Sequence, residues 1–312
     1  MELNFGRVEG LPPEEQQWLQ ELKYIYDYHR SANRKKRRYY NGKVTLNEVN
    51  LGIALPAGLG KLEIGCAWGA KTVDVLAGRS MFDGFVTENG TKSEDMDQIM
   101  KRNHLIAEYN KAVKEELKYG CAFAAVSGEE DDARVRFYSP HCAAASWNAH
   151  EGRIRYGFAF EDARRDESDV TWSPEHVNFY TDTDIWELDR IGGTWYATQN
   201  PHDFGEPLMV ALIWDATNDK PFGQSRLKEP VRRLIQGYVR TVANATIGLE
   251  FATSPQKYLL GVSDEQYDML IDNKFKQYVG SILYSTNNPE TGEKPNFGQL
   301  SQYLLIYKYA YF

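Results

Sequence analysis

Between Cys121 and Asp215 the sequence breaks into short β-prone pieces, and this pattern limits the fold more than any other feature. The pieces are Cys121–Val126, Val135–Tyr138, Ile154–Glu161, His176–Thr181, Asp184–Arg190 and Thr194–Thr198. Turn residues separate them: Ser127-Gly128, Glu151-Gly152, Asp182 and Gly192-Gly193. Strands joined so closely pair antiparallel, so a meander-like sheet is expected, closed by the apolar strand Met209–Trp214. Helical patterns stand before and after this region rather than between its strands, which predicts an α+β fold and not a wound parallel sheet.

Pro12-Pro13-Glu14-Glu15 opens the first helix, because proline suits the first turn and acids there complement the helix dipole. Trp18, Leu19, Leu22, Ile25 and Tyr26 recur at helical spacing. The basic run Arg34, Lys35, Lys36, Arg37 and Arg38 suits the helix end, and Asn41-Gly42 stops it. A run of this kind is most often a solvated face; binding of a partner or of phosphate is the sharper reading. Val44 to Gly60 reads as an extended loop, Trp68 to Arg79 as a helix, and Ser93 to about Tyr119 as one further helix.

After Pro221-Phe222-Gly223 a long amphipathic helix is predicted from about Ser225 to Phe251. Its apolar positions are Leu227, Val231, Leu234, Ile235, Tyr238, Val242 and Leu249. Arg226, Lys228, Arg232, Arg233 and Arg240 fill much of the remainder, while Gly237, Ala243, Ala245 and Gly248 permit close packing. A small αβ module follows: a strand at Gln256–Gly261, a helix capped by Ser263 with Gln266 and reaching about Tyr278, a strand at Val279–Ser285, and a turn leading to Phe297–Leu300.

The net charge of −8 argues against a protein that grips DNA over a broad surface, since such proteins carry an excess of basic charge. Cys66, Cys121 and Cys142 are too few and too widely spaced for a disulfide framework. Met1 to Gly10 has no apolar leader core, and no run of about 18 apolar residues occurs. A reducing, cytoplasm-like setting is expected.

Gly65-Cys66-Ala67-Trp68-Gly69-Ala70-Lys71-Thr72 nearly matches the phosphate-cradling pattern G-x-x-x-x-G-K-S/T, and the strand ending in Asp215 would supply a metal-holding carboxylate. A nucleotide hydrolase using Lys71, Thr72 and Asp215 is therefore the alternative reading. Ala70 stands against it, because its methyl group occupies the place where backbone must close on phosphate. So do the hairpins between the two motifs. His141, Cys142 and His150 lack metal-ligand spacing. No catalytic residue, cofactor or metal is assigned.

Several segments, in order, resemble the portal proteins of tailed siphophages of Gram-positive hosts. Arg38-Tyr39-Tyr40-Asn41-Gly42 resembles that family's early "YYxG" stop, and Leu51-Gly52-Ile53-Ala54-Leu55-Pro56 follows it. Trp68 to Phe85 resembles the segment in which a helix ends in a short "φxGF" strand. Phe222 to Leu227 resembles the "PxGxSR" lead-in to the stem helix, and Ser254 to Gly261 resembles the exit from it.

The resemblance implies a wing domain over residues 1–222, a stem helix over 223–252 and a clip over 253–301. It implies a structural, non-enzymatic subunit of a homododecameric ring at the capsid vertex of the virion, assembled in the host cytoplasm. Implied partners are the terminase large subunit, the major capsid and scaffolding proteins, the head-completion (adaptor) protein and double-stranded DNA in transit, with no membrane. The seven apolar positions above become stem-packing residues, and the five cations of that helix become candidates for DNA or inter-subunit contacts. Family members continue into a second stem helix, a tunnel loop and a crown. Residues 302–312 do not match that pattern, and a truncated or frameshifted end is expected.

Overall fold

A computed structural model describes residues 3–45, 63–86, 94–128, 132–160, 163–164, 173–253, 257–260, 283–285 and 296–299. The chain forms two units, Met1–Val44 with Gly65–Ile235, and Thr45–Ile64 with Gln236–Phe312. The expectations for 46–60, for the capped helix at 263–278, for the turn at 288–292 and for the tail at 302–312 lie outside the described residues.

A two-residue strand, β1 (Val8–Glu9), leads into α1 (Pro13–Tyr40). The short strands β2 (Val44–Thr45) and β3 (Glu63–Ile64) pair with each other. Helices α2 (Trp68–Ala77), α3 (Glu94–Arg102) and α4 (Leu105–Tyr119) follow. Ten strands come next: β4 (Cys121–Ser127), β5 (Arg134–Tyr138), β6 (Ala143–Asn148), β7 (Arg153–Phe160), β8 (Ala163–Arg164), β9 (Ser173–Pro174), β10 (His176–Tyr180), β11 (Asp184–Ile191), β12 (Thr194–Pro201) and β13 (Met209–Ile213). Then come α5 (Glu229–Thr253), β14 (Lys257–Leu260), β15 (Leu283–Ser285) and β16 (Asn296–Gln299). Helices and antiparallel hairpins thus make the expected α+β fold.

One meander is replaced by two sheets. The larger has the order β1-β12-β11-β10-β7-β6, and the smaller β13-β4-β5. β13 does not close the meander: it pairs antiparallel with β4, Met209 opposite Ala125 and Ile213 opposite Cys121. Alternation along the strands gives each sheet two faces. Phe158, Phe160, Phe179, Trp186, Leu188 and Trp195 form one core of the large sheet, where Leu19, Leu22 and Tyr26 of α1 are buried with them. Each fully buried large side chain in this contact contributes about 1.5–3 kcal/mol. Trp18 stacks on Tyr156 at 5.1 Å, and Tyr26 meets Phe160 edge to face at 5.5 Å.

A second core joins the two sheets through Phe123, Ala125, Tyr138, Ala145, Ile154, Tyr180 and Met209. Gly157 in β7 makes room for Met209, whose Sδ would lie 2.6 Å from a Cβ there. On the other face of β4, Ala122 and Ala124 are buried, and α4 packs along that strand.

The helix expected over 93–119 is two. Asn103 and His104 interrupt it, with His104 left-handed at φ 50°, and Asn103 bonds to Ala133 and Val135. In the second unit β14 pairs parallel with β15 and antiparallel with β16.

Candidate functional site

The lead-in to α5 is built on the end of α4. The last carbonyls of a helix lack partners within it, and here the Phe222–Leu227 segment supplies them. Arg226 N–H donates to the Leu117 carbonyl at 2.8 Å, and Ser225 Oγ donates to the Lys118 carbonyl at 2.5 Å. Ser225 Oγ also accepts from Leu227 N–H at 3.0 Å. These bonds hold 225–228 out of the helix, so α5 begins at Glu229 and not at the expected Ser225.

Gly223 is required here for two reasons. Its φ is +72°, and a Cβ would lie 2.2 Å from the Trp214 carbonyl oxygen and 2.7 Å from that of Gly120.

The apolar positions foreseen on this helix are not equally buried, and Leu227 precedes its first turn. Leu227 and Ile235 are buried, while Val231, Tyr238 and Val242 are half-buried. Leu234 is 66% exposed and Leu249 53%. The buried stripe is completed by Val239 and Ala243. Sequence reading passed over Val239, although its spacing from Ile235 and Ala243 carried the signal. Gly237 and Gly248 have φ in the ordinary range, and a Cβ on either would meet nothing within 4 Å among the described residues.

The helix cations are mostly held. Arg226 lies over the Trp214 ring at 5.7 Å, and Lys228 Nζ pairs with Asp215 at 2.5 Å. Arg232 and Arg233 both pair with Glu229, at 2.8 and 3.1 Å. Those contacts, led by the Arg233 hydrogen bond, hold the Glu229 carboxyl below its ordinary range. Arg240 is exposed.

The basic run at the end of α1 is not one solvated face. Lys35 is exposed, but Arg34, Lys36, Arg37 and Arg38 are half-buried. Lys36 Nζ donates to the Tyr119 carbonyl at 2.8 Å, and burial lowers the pKa of its ammonium, with Arg232 adding to the effect. Lys35 acts on Glu229. The structure therefore brings the α1 run and the first turn of α5 into one electrostatic neighbourhood.

The phosphate-loop reading finds no support in this geometry. Gly69 is a packing residue: a Cβ would lie 2.2 Å from the Tyr39 carbonyl oxygen. Thr72 Oγ1 donates to the Trp68 carbonyl within α2, Lys71 is exposed, and Asp215 is paired with Lys228. The strands flanking the two motifs, β3 and β13, belong to different sheets. Among the described residues no group of three or more His, Cys, Asp and Glu could hold a metal ion, and no helix is long and apolar enough to cross a membrane.

The lead-in to α5 thus caps α4 in an α+β unit, and α5 leaves Leu234 and Leu249 exposed. The model of the family described as phage portal protein, SPP1 Gp6-like, matches residues 19–212, and the chain belongs to that family. The matched span runs from Leu19 in α1 to Leu212 in β13. No curated protein matches the chain closely enough to count as a relative.

Proposed function

We propose that this chain is a subunit of the ring at the capsid vertex through which phage DNA is packaged and ejected. The family match over residues 19–212 is the observation that carries this reading. Residues 1–222 form the wing, 223–252 the stem helix and 253–301 the clip. In a homododecameric ring the clip docks the terminase large subunit and later the head-completion protein, while the wing meets major capsid and scaffolding proteins. The subunit itself holds no catalytic residues.

The state of α5 supports a helix that packs on copies of itself. Leu234 and Leu249 face outward, and mid-helix glycine costs about 1 kcal/mol relative to alanine. Among the described residues Gly237 and Gly248 answer no steric demand. Glycine is suited to positions where a second backbone comes close, as in side-by-side helices of a closed ring. Electron microscopy of the purified chain tests the reading: rings with a central opening are expected, and particles that stay monomeric at high concentration would oppose it.

A further inference from the structure

Three consecutive carbonyls close α4, and each accepts from a different group. Leu117 accepts from Arg226 N–H at 2.8 Å, Lys118 from Ser225 Oγ at 2.5 Å and Tyr119 from Lys36 Nζ at 2.8 Å. The lead-in to α5 and the basic run of α1 are therefore seated on one helix end, within one unit. A movement of Tyr119 disturbs both seats together.

The Tyr119 side chain is held by His141. Its hydroxyl lies 3.0 Å from Nε2, the rings meet edge to face, and both residues are buried. From α1 the imidazole is faced by Tyr26, Arg34 and Arg37, and from α4 by Glu115, Lys118 and Tyr119. Cys142, next in the chain, is a neutral thiol whose pKa burial pushes up to about 12. Burial first, then Arg37, and also Lys118 and Arg34, disfavour the imidazolium. Glu115 favours it, but that carboxylate is already paired with Lys118 at 2.6 Å.

A charged imidazole is relieved by turning out of this joint into water. The Tyr119 hydroxyl then loses its partner, and a buried hydroxyl left unpaired is unfavourable, so Tyr119 follows. An imidazole in water keeps its ordinary pKa of 6.5, while the seated one is held near 4. Below pH 6.5 the released state binds the extra proton, so it gains on the seated state as the pH falls.

We propose that His141 is an acid-sensitive latch on the α5 lead-in. A proton taken from water turns the ring out, Tyr119 moves with it, and residues 225–228 come away from the end of α4 while the sheets stay folded. The latch works inside one unit and is independent of ring formation.

Amide hydrogen exchange of the full chain tests this, read as protection factors so that the intrinsic pH dependence of exchange is removed. The reporters are the Arg226 amide, bonded to the Leu117 carbonyl, and the Leu227 amide, bonded to Ser225 Oγ. Leu188, buried in the core of the large sheet, is the reference for global unfolding. Between pH 7 and pH 5 protection at both reporters should fall about twentyfold, as one proton shifting between 6.5 and 4 requires. Urea below the unfolding transition should leave the reporters unchanged and lower the protection of Leu188, because a local opening exposes little surface. In His141→Gln, which takes no proton, the reporters should not respond to this change of pH. Unchanged protection at the reporters, an equal fall in His141→Gln, or a urea response in step with Leu188 would overturn the proposal. If that variant fails to fold, the pH profile of the natural chain decides: release by an imidazole begins near pH 6.5, and a fall that starts only below pH 5 would contradict it.

Discussion

His141 Nε2 lies 3.0 Å from the Tyr119 hydroxyl, the two rings meet edge to face at 4.8 Å, and both side chains are buried. The His141 carbonyl also accepts a 2.9 Å hydrogen bond from the Tyr26 hydroxyl, tying α1 to the turn before β6. Burial first, and the Arg37 guanidinium second, push the His141 pKa down from its ordinary 6.5 to about 4. The unfolded chain therefore binds a proton at this imidazole below about pH 6.5, and the folded chain only near 4. More protons are bound unfolded in that window, so this contribution to stability is full above pH 6.5 and is lost as the pH falls toward 4. At about 1.4 kcal/mol per pH unit the loss is roughly 3 kcal/mol. Urea unfolding of the natural chain and of His141→Gln at pH 7 and pH 4.5 checks this. The natural chain should lose more stability than the variant.

Gly69→Ala should destabilise the protein by about 1–3 kcal/mol, because the new methyl would press on the Tyr39 carbonyl and force α2 away from the end of α1. Lys71→Ala, at an exposed position, should change stability by no more than about 0.5 kcal/mol. Denaturant midpoints of the two variants measure both. Added ATP with Mg²⁺ should raise neither midpoint, whereas a phosphate loop would be stabilised by nucleotide and would lose that gain in Lys71→Ala.

Asn103→Ala removes both hydrogen bonds to the edge of β5 and should cost about 1–3 kcal/mol. Amide exchange at Val135 should quicken with it. Unchanged exchange there would mean that the bond from Val135 N–H to Asn103 does not protect the edge.

Gly237→Ala should strengthen α5 in the isolated chain by up to about 1 kcal/mol, since a Cβ there meets nothing within 4 Å. The same methyl should weaken ring assembly if a neighbouring helix approaches at that point. Helix content by circular dichroism and oligomer mass by light scattering report the two effects separately.

Much of the α+β fold could be read from local signals. Pro13 marks the start of α1, and Gly42 marks its end at φ +70°, where a Cβ would meet the Cys66 carbonyl oxygen at 2.9 Å. Gly128, Gly152, Gly192 and Gly193, all at positive φ, punctuate the hairpins. Three features carried no such signal. β6 begins Ala143-Ala144-Ala145, small residues of low β propensity that are buried because the neighbouring elements lie close. The pairing of β13 with β4 joins segments far apart in sequence, so nothing near Met209 announces it. Apolar spacing runs straight through Asn103 and His104, and only the bonds from Asn103 to β5 explain the break.

The candidate site was legible in its elements but not in which of their residues are buried. α5 could be foreseen as a helix. Ser225 and Arg226 belong instead to the cap of α4, a role set by carbonyls about a hundred residues earlier in the chain. Leu234 reads as a core residue from hydrophobicity alone, yet it points outward while Val239 is buried. The basic run of α1 looked uniform, and its division into an outward Lys35 and an inward Lys36 follows from the position of Tyr119.

The central claim is that α5 packs against copies of itself, and Leu234→Asp tests it most directly. Leu234 is 66% exposed in the single chain, so the substitution should leave folding unchanged. Size-exclusion chromatography with electron microscopy should give rings for the natural chain and folded monomers for the variant. Rings from the variant as intact as those of the natural chain would contradict the account.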